Sequence, residues 1–239
     1  MRLDKYLSLQ GYTRSQAKRL CTEGRVRVDG DIAIDASRHV SDDARIFLDG
    51  APLVNETHQH LMLHKPQGVI TATKDERGKQ TVLDLIPPGQ RRRELGPVGR
   101  LDKDVTGLIL LTTDGQLAHR LISPKWVIEK RYVADVQGEL TEQHVRRMAE
   151  GIRLTDFTAR PAKMQILHSG EVSRAELYIT EGKYHQVKRM FGALERPVIR
   201  LERLSIGALQ LDPALMPGEW RALTDQERAA LYQAVDMKG

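Results

Sequence analysis

The 239-residue sequence predicts a mixed α+β protein in two parts. A small N-terminal α/β module spans residues 1–50, a polar linker covers 51–60, and a larger domain runs over 61–235. Three observations predict this. Val26 and Val28 alternate with charged residues, and Ala175, Leu177 and Ile179 alternate with Glu176 and Tyr178, which is the period of half-buried strands. Val187, Met190, Phe191 and Leu194 recur at helical spacing instead. Strands and helices are also interleaved without the regular strand–helix–strand rhythm of a parallel sheet, so mixed α+β is the better class.

In the first module, Leu3, Tyr6 and Leu7 predict a short helix ended by Gly11. Thr13 with Gln16 has the form of a capping box, opening a helix whose buried side is Ala17, Leu20 and Cys21 and whose stop is Gly24. Val26 and Val28 form a strand, Asp29-Gly30 a hairpin turn, and Ile32 and Ile34 continue the alternation. Arg45 to Leu48 closes the module before Asp49-Gly50. The polar run Asn55 to His60 reads as a linker on which the module can swing.

From residue 60 onwards, Leu61 to Leu63 is apolar and Pro66 with Gly68 marks a turn. Leu83, Leu85 and Ile86 lead to the break at Pro87-Pro88-Gly89, and Arg91-Arg92-Arg93 follows in an exposed loop. Next comes Gly99-Arg100-Leu101-Asp102-Lys103-Asp104-Val105-Thr106-Gly107, a glycine-bounded polar loop that runs into the apolar strand Leu108 to Leu111. Loops fixed to rigid strands are where reactive groups concentrate. Gln116 to Ile122 is a helix stopped by Pro124, Tyr132 to Val136 a strand, and Thr141 caps a helix through Val145 and Met148. Strands follow near Met164–Leu167 and Ala175–Ile179, then the Val187–Leu194 helix. Val198 to Leu211 is largely strand, and Thr224 with Glu227 boxes a last helix.

Composition narrows the function classes. Lys and Arg number 37 against 32 Asp and Glu, a net charge of +5 whose distribution matters more than its sum. One cysteine, Cys21, excludes an intrachain disulfide framework and suits a reducing cytoplasm. No run approaches the ~20 apolar residues of a membrane helix, and the N-terminus lacks the apolar core of a signal peptide. The expectation is a soluble, cytoplasmic protein. No phosphate-binding glycine loop, dinucleotide fingerprint or serine elbow is present. His58 and His60 lack a further ligand in range, so no metal site is assigned.

Basic residues gather where nucleic acid would be met. Arg14, Lys18, Arg19, Arg25 and Arg27 lie on one helix and the strand after it, opposed in that window only by Glu23. With Leu3-Asp4-Lys5-Tyr6-Leu7 and Gly24-Arg25-Val26-Arg27-Val28-Asp29-Gly30, this order of elements resembles the S4 RNA-binding domain.

Four later segments resemble the pseudouridine synthases. Gly99-Arg100-Leu101-Asp102 is similar to their active-site motif, and Leu63-His64-Lys65-Pro66 to the segment that opens their catalytic domain. Glu129-Lys130-Arg131-Tyr132 is similar to the strand bearing their active-site tyrosine, and Glu181 through Met190 to their later basic motif. The resemblance implies a mixed, mainly antiparallel catalytic sheet. It makes Asp102 the catalytic carboxylate, Lys188 its ion-pair partner and Tyr132 a stacking and proton-transfer group, with Leu201 in the uracil pocket. Many relatives carry arginine where Lys188 stands, and lysine lacks the bidentate fork. Asp104 receives no catalytic part and is read as structuring the loop. Lys65, Arg100 and Arg189 join the RNA-contacting set. The implied reaction breaks the N1–C1′ bond of a uridine and joins C5 to C1′, which calls for no cofactor. The implied partner is ribosomal RNA, as 16S RNA in a partly assembled small subunit, met by a monomer. A 23S target, a non-catalytic RNA-binding assembly factor, and a metal-dependent hydrolase on Asp102, Asp104 and Asp114 stand as alternatives.

Overall fold

A computed structural model describes residues 1–41, 44–53 and 58–237. The chain divides into two units, Met1–His58 and Gln59–Gly239. In the first, helices α1 (Leu3–Leu9) and α2 (Arg14–Thr22) accompany strands β1 (Val26–Val28), β2 (Asp31–Ile32), β3 (Ile46–Leu48) and β4 (Ala51–Leu53), in an antiparallel sheet of order β2-β1-β3-β4. The capping box forms as the sequence predicts: the Gln16 amide donates to Thr13 Oγ1 at 3.2 Å and the Thr13 amide donates to Gln16 Oε1 at 2.8 Å. Asp29 and Gly30 both take positive φ, 54° and 99°, the backbone that a two-residue hairpin between twisted strands requires.

The Ala33 amide donates to Val26 O and Ala33 is buried, so period-2 alternation turns Ile32 and Ile34 to solvent. One expectation for this region, the close of the module at Asp49-Gly50, is corrected. Asp49-Gly50 does not close the module; it turns the chain into β4, which pairs with β3. The polar segment expected as a linker is therefore strand at Ala51–Leu53, and a strand begins again at His60. Residues 54–57 lie outside the described residues.

The second unit is built on a sheet of nine strands, among the described residues: β5 (His60–Lys65), β6 (Gly96–Pro97), β7 (Thr106–Thr112), β8 (Lys130–Gln137), β9 (Lys163–His168), β10 (Val172–Ile179), β11 (Val198–Ile206), β12 (Leu209–Gln210) and β13 (Trp220–Ala222). The main path is β13-β5-β7-β11-β8-β10-β9, with β6 beside β7 and β12 beside β11. Every pairing described is antiparallel except β7–β11. Helices α3 (Gly115–Ile122), α4 (Glu142–Glu150), α5 (Gln186–Ala193) and α6 (Asp225–Gln233) cover it.

The central strands are buried on both faces, which is why β7 reads as a continuous apolar run. On one face Leu61, Leu63, Ile109, Leu111, Tyr132 and Leu177 share a core with Met148 of α4 and Val187, Met190 and Phe191 of α5. On the other, Met62, Leu108, Leu110 and Ile206 pack with Leu117 and Leu121 of α3 and Leu231 and Tyr232 of α6. No helix among the described residues is long and apolar enough to cross a membrane.

Gly107 makes the parallel junction possible. Its φ is +106°, and a Cβ there would lie 2.2 Å from the carbonyl oxygen of Arg203, its partner in β11. That junction brings the loop before β7 alongside β11.

Candidate active site

The segment ahead of β7 is held from below. Leu101 and Val105 are buried, and the Val105 amide donates to Asp102 O at 3.1 Å, turning the chain so that the Asp102 carboxylate is left partly exposed. Thr71 clamps one side: its Oγ1 donates to Leu101 O at 2.8 Å and accepts from the Leu101 amide at 3.1 Å.

Lys65 holds the other side and is corrected from an RNA contact to a buried brace. Its side chain is wholly enclosed, and its ammonium donates to the carbonyls of Val105 (2.7 Å), Pro66 (3.0 Å) and Lys103 (3.3 Å). Three carbonyls satisfy three N–H groups, as a buried ammonium requires. Burial pulls its pKa down to about 8, against the opposing pull of Asp104 and Asp102.

Helix α5 supplies the cation. His185 stands at its N-cap in a left-handed conformation, φ +49°, with Nε2 3.5 Å from Asp102 Oδ1. One turn on, Lys188 Nζ lies 3.1 Å from Asp102 Oδ2 and donates to Asp104 Oδ1 at 2.6 Å. The expected Asp102–Lys188 contact is present, and Asp104, given only a loop role from sequence, shares the same ammonium. Burial acts to lower the Lys188 pKa, but the hydrogen bonds and charges of Asp104 and Asp102 outweigh it and hold the group above the ordinary lysine value. The Lys188 hydrogen bond in turn holds Asp104 below the usual carboxylate range, burial opposing.

Asp102, Lys188, Tyr132 and Leu201 line one cleft of about 60 Å³, with Arg100 and His185 also on its wall. Tyr132 and Leu201 are both nearly buried in adjacent strands, β8 and β11. The floor is thus apolar and aromatic, and the rim is charged. Such a site can take a flat ring against Tyr132 while keeping a carboxylate within reach of the atom next to it. Tyr184, 76% exposed, stacks on His185 at 3.8 Å with the rings 17° apart.

Other assigned residues lie elsewhere. Arg14, Lys18, Arg19, Arg25 and Arg27 are exposed on α2 and on β1 and its leading turn in the first unit. Arg19 is paired with Glu23 (2.7 Å), Arg25 with Asp49 (2.6 Å) as well as Glu23, and Arg27 donates to Gly30 O. Asp49 is an opposing charge that the sequence window did not include. Arg189 is partly exposed, paired with Asp156 and set over the Phe157 ring. Asp114 is the buried N-cap of α3, bonded to the Gln116 and Leu117 amides and to Tyr232 Oη, so it belongs to a helix terminus and not to a site with Asp102. His60 is buried against Thr112 and Tyr232.

His185 and Gln186 are site residues that sequence reasoning missed, and Asp104 is one to which it gave only a loop role. Gln186 is buried and closes the turn before α5, accepting from the Lys183 amide and donating to Glu181. Each stood inside a recognised motif, but the left-handed backbone at His185 has no sequence signal.

Residues 59–193 match the model of the RNA pseudouridylate synthase family, and residues 1–46 match the S4 domain. An uncharacterized RNA pseudouridine synthase of Bacillus subtilis is 43% identical, covering 95% of this chain and 96% of that one. The ribosomal small subunit pseudouridine synthase A of Escherichia coli is 38% identical, covering 97% of this chain and all of the relative. A crystal structure of a pseudouridylate synthase superposes with a TM-score of 0.67 at 38% identity, over 97% of this chain and 99% of that one. With a mixed sheet, an S4 domain in front and a carboxylate–lysine pair over an aromatic floor, the chain belongs to the RNA pseudouridylate synthase family.

Proposed function

We infer that this pseudouridine synthase isomerises a uridine of 16S ribosomal RNA during assembly of the small ribosomal subunit, acting in the cytoplasm with Asp102 as its catalytic carboxylate. The observation that carries the site assignment is the convergence of Asp102, Lys188, Tyr132 and Leu201 on one cleft. The target is supported by full-length similarity to proteins named ribosomal small subunit pseudouridine synthase A. The division of the chain into an RNA-anchoring N-terminal module and a catalytic domain belongs to the same reading.

A uridine turned out of its stack would lay its ring on Tyr132 and Leu201, with C1′ toward Asp102. The N1–C1′ bond breaks, the uracil turns, and C5 bonds to C1′. The proton on C5 leaves to solvent and N1 takes one up, so atoms balance without any added reactant. Asp102 meets the charge that develops at the sugar, and Lys188 fixes the carboxylate's direction. Tyr132 carries the ring face and a hydroxyl near the exchanging proton.

Tritium release from C5-labelled uridine tests this, using 16S and 23S transcripts and stripped small-subunit particles. Wild-type protein is expected to release tritium from 16S material alone, and Asp102→Asn to fall to background while still binding RNA. Release from 23S alone moves the target and keeps the chemistry. Tight binding without release from any substrate makes the chain an RNA-binding factor.

A further inference from the structure

The cleft beside Asp102 is accompanied by a second, wider depression in the same unit. It is an open groove of about 930 Å³ bounded by residues 73–84 on one side and 88–96 on the other. Five cations line it: Lys74, Lys79, Arg91, Arg92 and Arg93. Three acids line it as well, but two of these are turned onto the groove's own backbone. Asp84 accepts from the Thr81 amide and hydroxyl at 2.8 and 2.9 Å, and Asp75 accepts from the Lys79 amide at 2.9 Å. Lys74, Lys79 and Arg93 are exposed. Arg91 is braced, its guanidinium donating to Leu83 O at 3.0 Å. The Arg92 amide donates to the Gln59 side chain, which itself donates to Gln90 O, fixing the arginine-bearing loop. No aromatic ring is among the described residues of the lining, so no aromatic platform for stacking a base is offered there.

The groove is joined to the active-site loop by two segments lying side by side. A Cβ on Gly96 would touch Thr73 Cγ2 at 3.7 Å, and Thr71 clamps Leu101 through two hydrogen bonds. Gly96 to Asp102 spans at most about 20 Å of extended chain, a distance that a few nucleotides of single strand cover.

We propose that this groove is a second RNA site of the catalytic unit, binding the sugar-phosphate backbone of the single strand that flanks the target uridine. The inference rests on the uridine-isomerase reading for the identity of the strand. The cations, the absence of stacking rings and the open form suit a polyanion held by charge and unread in sequence. An enclosed pocket with ring contacts would instead suit a free nucleotide. The site sets affinity and the direction of the strand, and leaves the chemical step to Asp102.

Two measurements on the full-length chain test it. First, Lys74 and Lys79 are acetylated with a water-soluble ester, with and without a 16S transcript, and read by mass spectrometry. Both are expected to become several-fold less reactive with RNA bound, and equal reactivity overturns the proposal. Second, a Lys74→Ala/Lys79→Ala/Arg93→Ala variant is compared with wild type in binding the same transcript across salt concentrations and in tritium release. The salt slope is expected to shrink by about 2, at roughly 0.7 per lost single-strand phosphate contact. KM should rise about tenfold or more, with kcat within twofold of wild type. An unchanged slope and KM overturn the proposal. If wild type releases no tritium from any substrate, the isomerase reading fails, and lysine protection and salt slope still report the groove. Protection by duplex and single strand alike refutes the single-strand assignment.

Discussion

Lys188 faces two carboxylates at once, with its shorter contact to Asp104 rather than to Asp102. The ammonium is therefore divided between a group that holds the loop and the group placed to react, and Asp104 sets how much of it Asp102 receives. Lys65 acts from the opposite side. It touches neither the cleft nor solvent, yet two of its carbonyl partners, Lys103 and Val105, follow Asp102 in the same loop, and the third, Pro66, lies on the turn beside it. Lys65→Met keeps the chain length and removes every donor. Lys103 O keeps the Gly68 amide, but the buried Val105 carbonyl loses its ammonium donor, and an unsatisfied buried carbonyl costs about 1–3 kcal/mol, so the variant is expected to unfold at lower denaturant by about that much and to lose kcat more than RNA affinity. Urea titration beside tritium-release kinetics checks both. A variant with wild-type stability and kcat would show that the brace is dispensable.

At the level of elements, the parallel contact between β7 and β11 decides where the site forms. It lays the loop before β7 beside Leu201, while antiparallel pairing of β11 with β8 brings Tyr132 next to it. The contact passes through Gly107, where both the positive φ and the 2.2 Å approach of the Arg203 carbonyl exclude a side chain. Gly107→Ala is expected to cost about 3 kcal/mol or more, because strain at φ and a backbone clash add together. Calorimetry reads the loss, and a stable, active variant would mean that β7 and β11 can separate without harm. Helix α5 completes the site by placing His185 and Lys188 one turn apart over the same carboxylate.

At the scale of the whole molecule, two lysines are enclosed among the described residues, Lys65 and Lys130, each with a pKa pulled down to about 8, mainly by burial. Between pH 8 and the ordinary lysine value of 10.5 the unfolded chain holds these protons and the folded chain sheds them. Stability is therefore expected to rise with pH from about 8, by up to roughly 1.4 kcal/mol per pH unit for each group. The buried Tyr6 and Tyr232 phenols have raised pKa values, so above their ordinary value of 10 they ionise first in the unfolded chain and reverse the gain. Urea titrations at pH 7, 8, 9 and 10 check the sign; a monotonic fall over that range contradicts it. Charge is distributed at this scale too. A net +5 over 239 residues is modest, yet exposed cations gather on α2 and β1 in the first unit and around the 930 Å³ groove in the second.

Much of this was legible in the sequence because it depends on neighbours along the chain. Capping boxes at Thr13 and Thr224, the left-handed Asp29-Gly30 turn, and the buried side of α5 follow from local hydrogen bonding and periodicity. Motif order was legible for the same reason, and with it the family. What only the tertiary structure decided depends on partners far apart in sequence. Lys65 and Val105 are 40 residues apart, and Lys188 and Asp104 are 84 apart. No local pattern says whether a lysine after an apolar strand turns out to RNA or in to three carbonyls. The first unit shows the same limit, since Ile32 and Ile34 alternate correctly and still face solvent, the register being set by Ala33 against Val26. The sequence by itself determined which groups are present and which local backbone each prefers. The pairing of distant strands decided which groups meet, because burial and charge pairing are settled only when those strands come together.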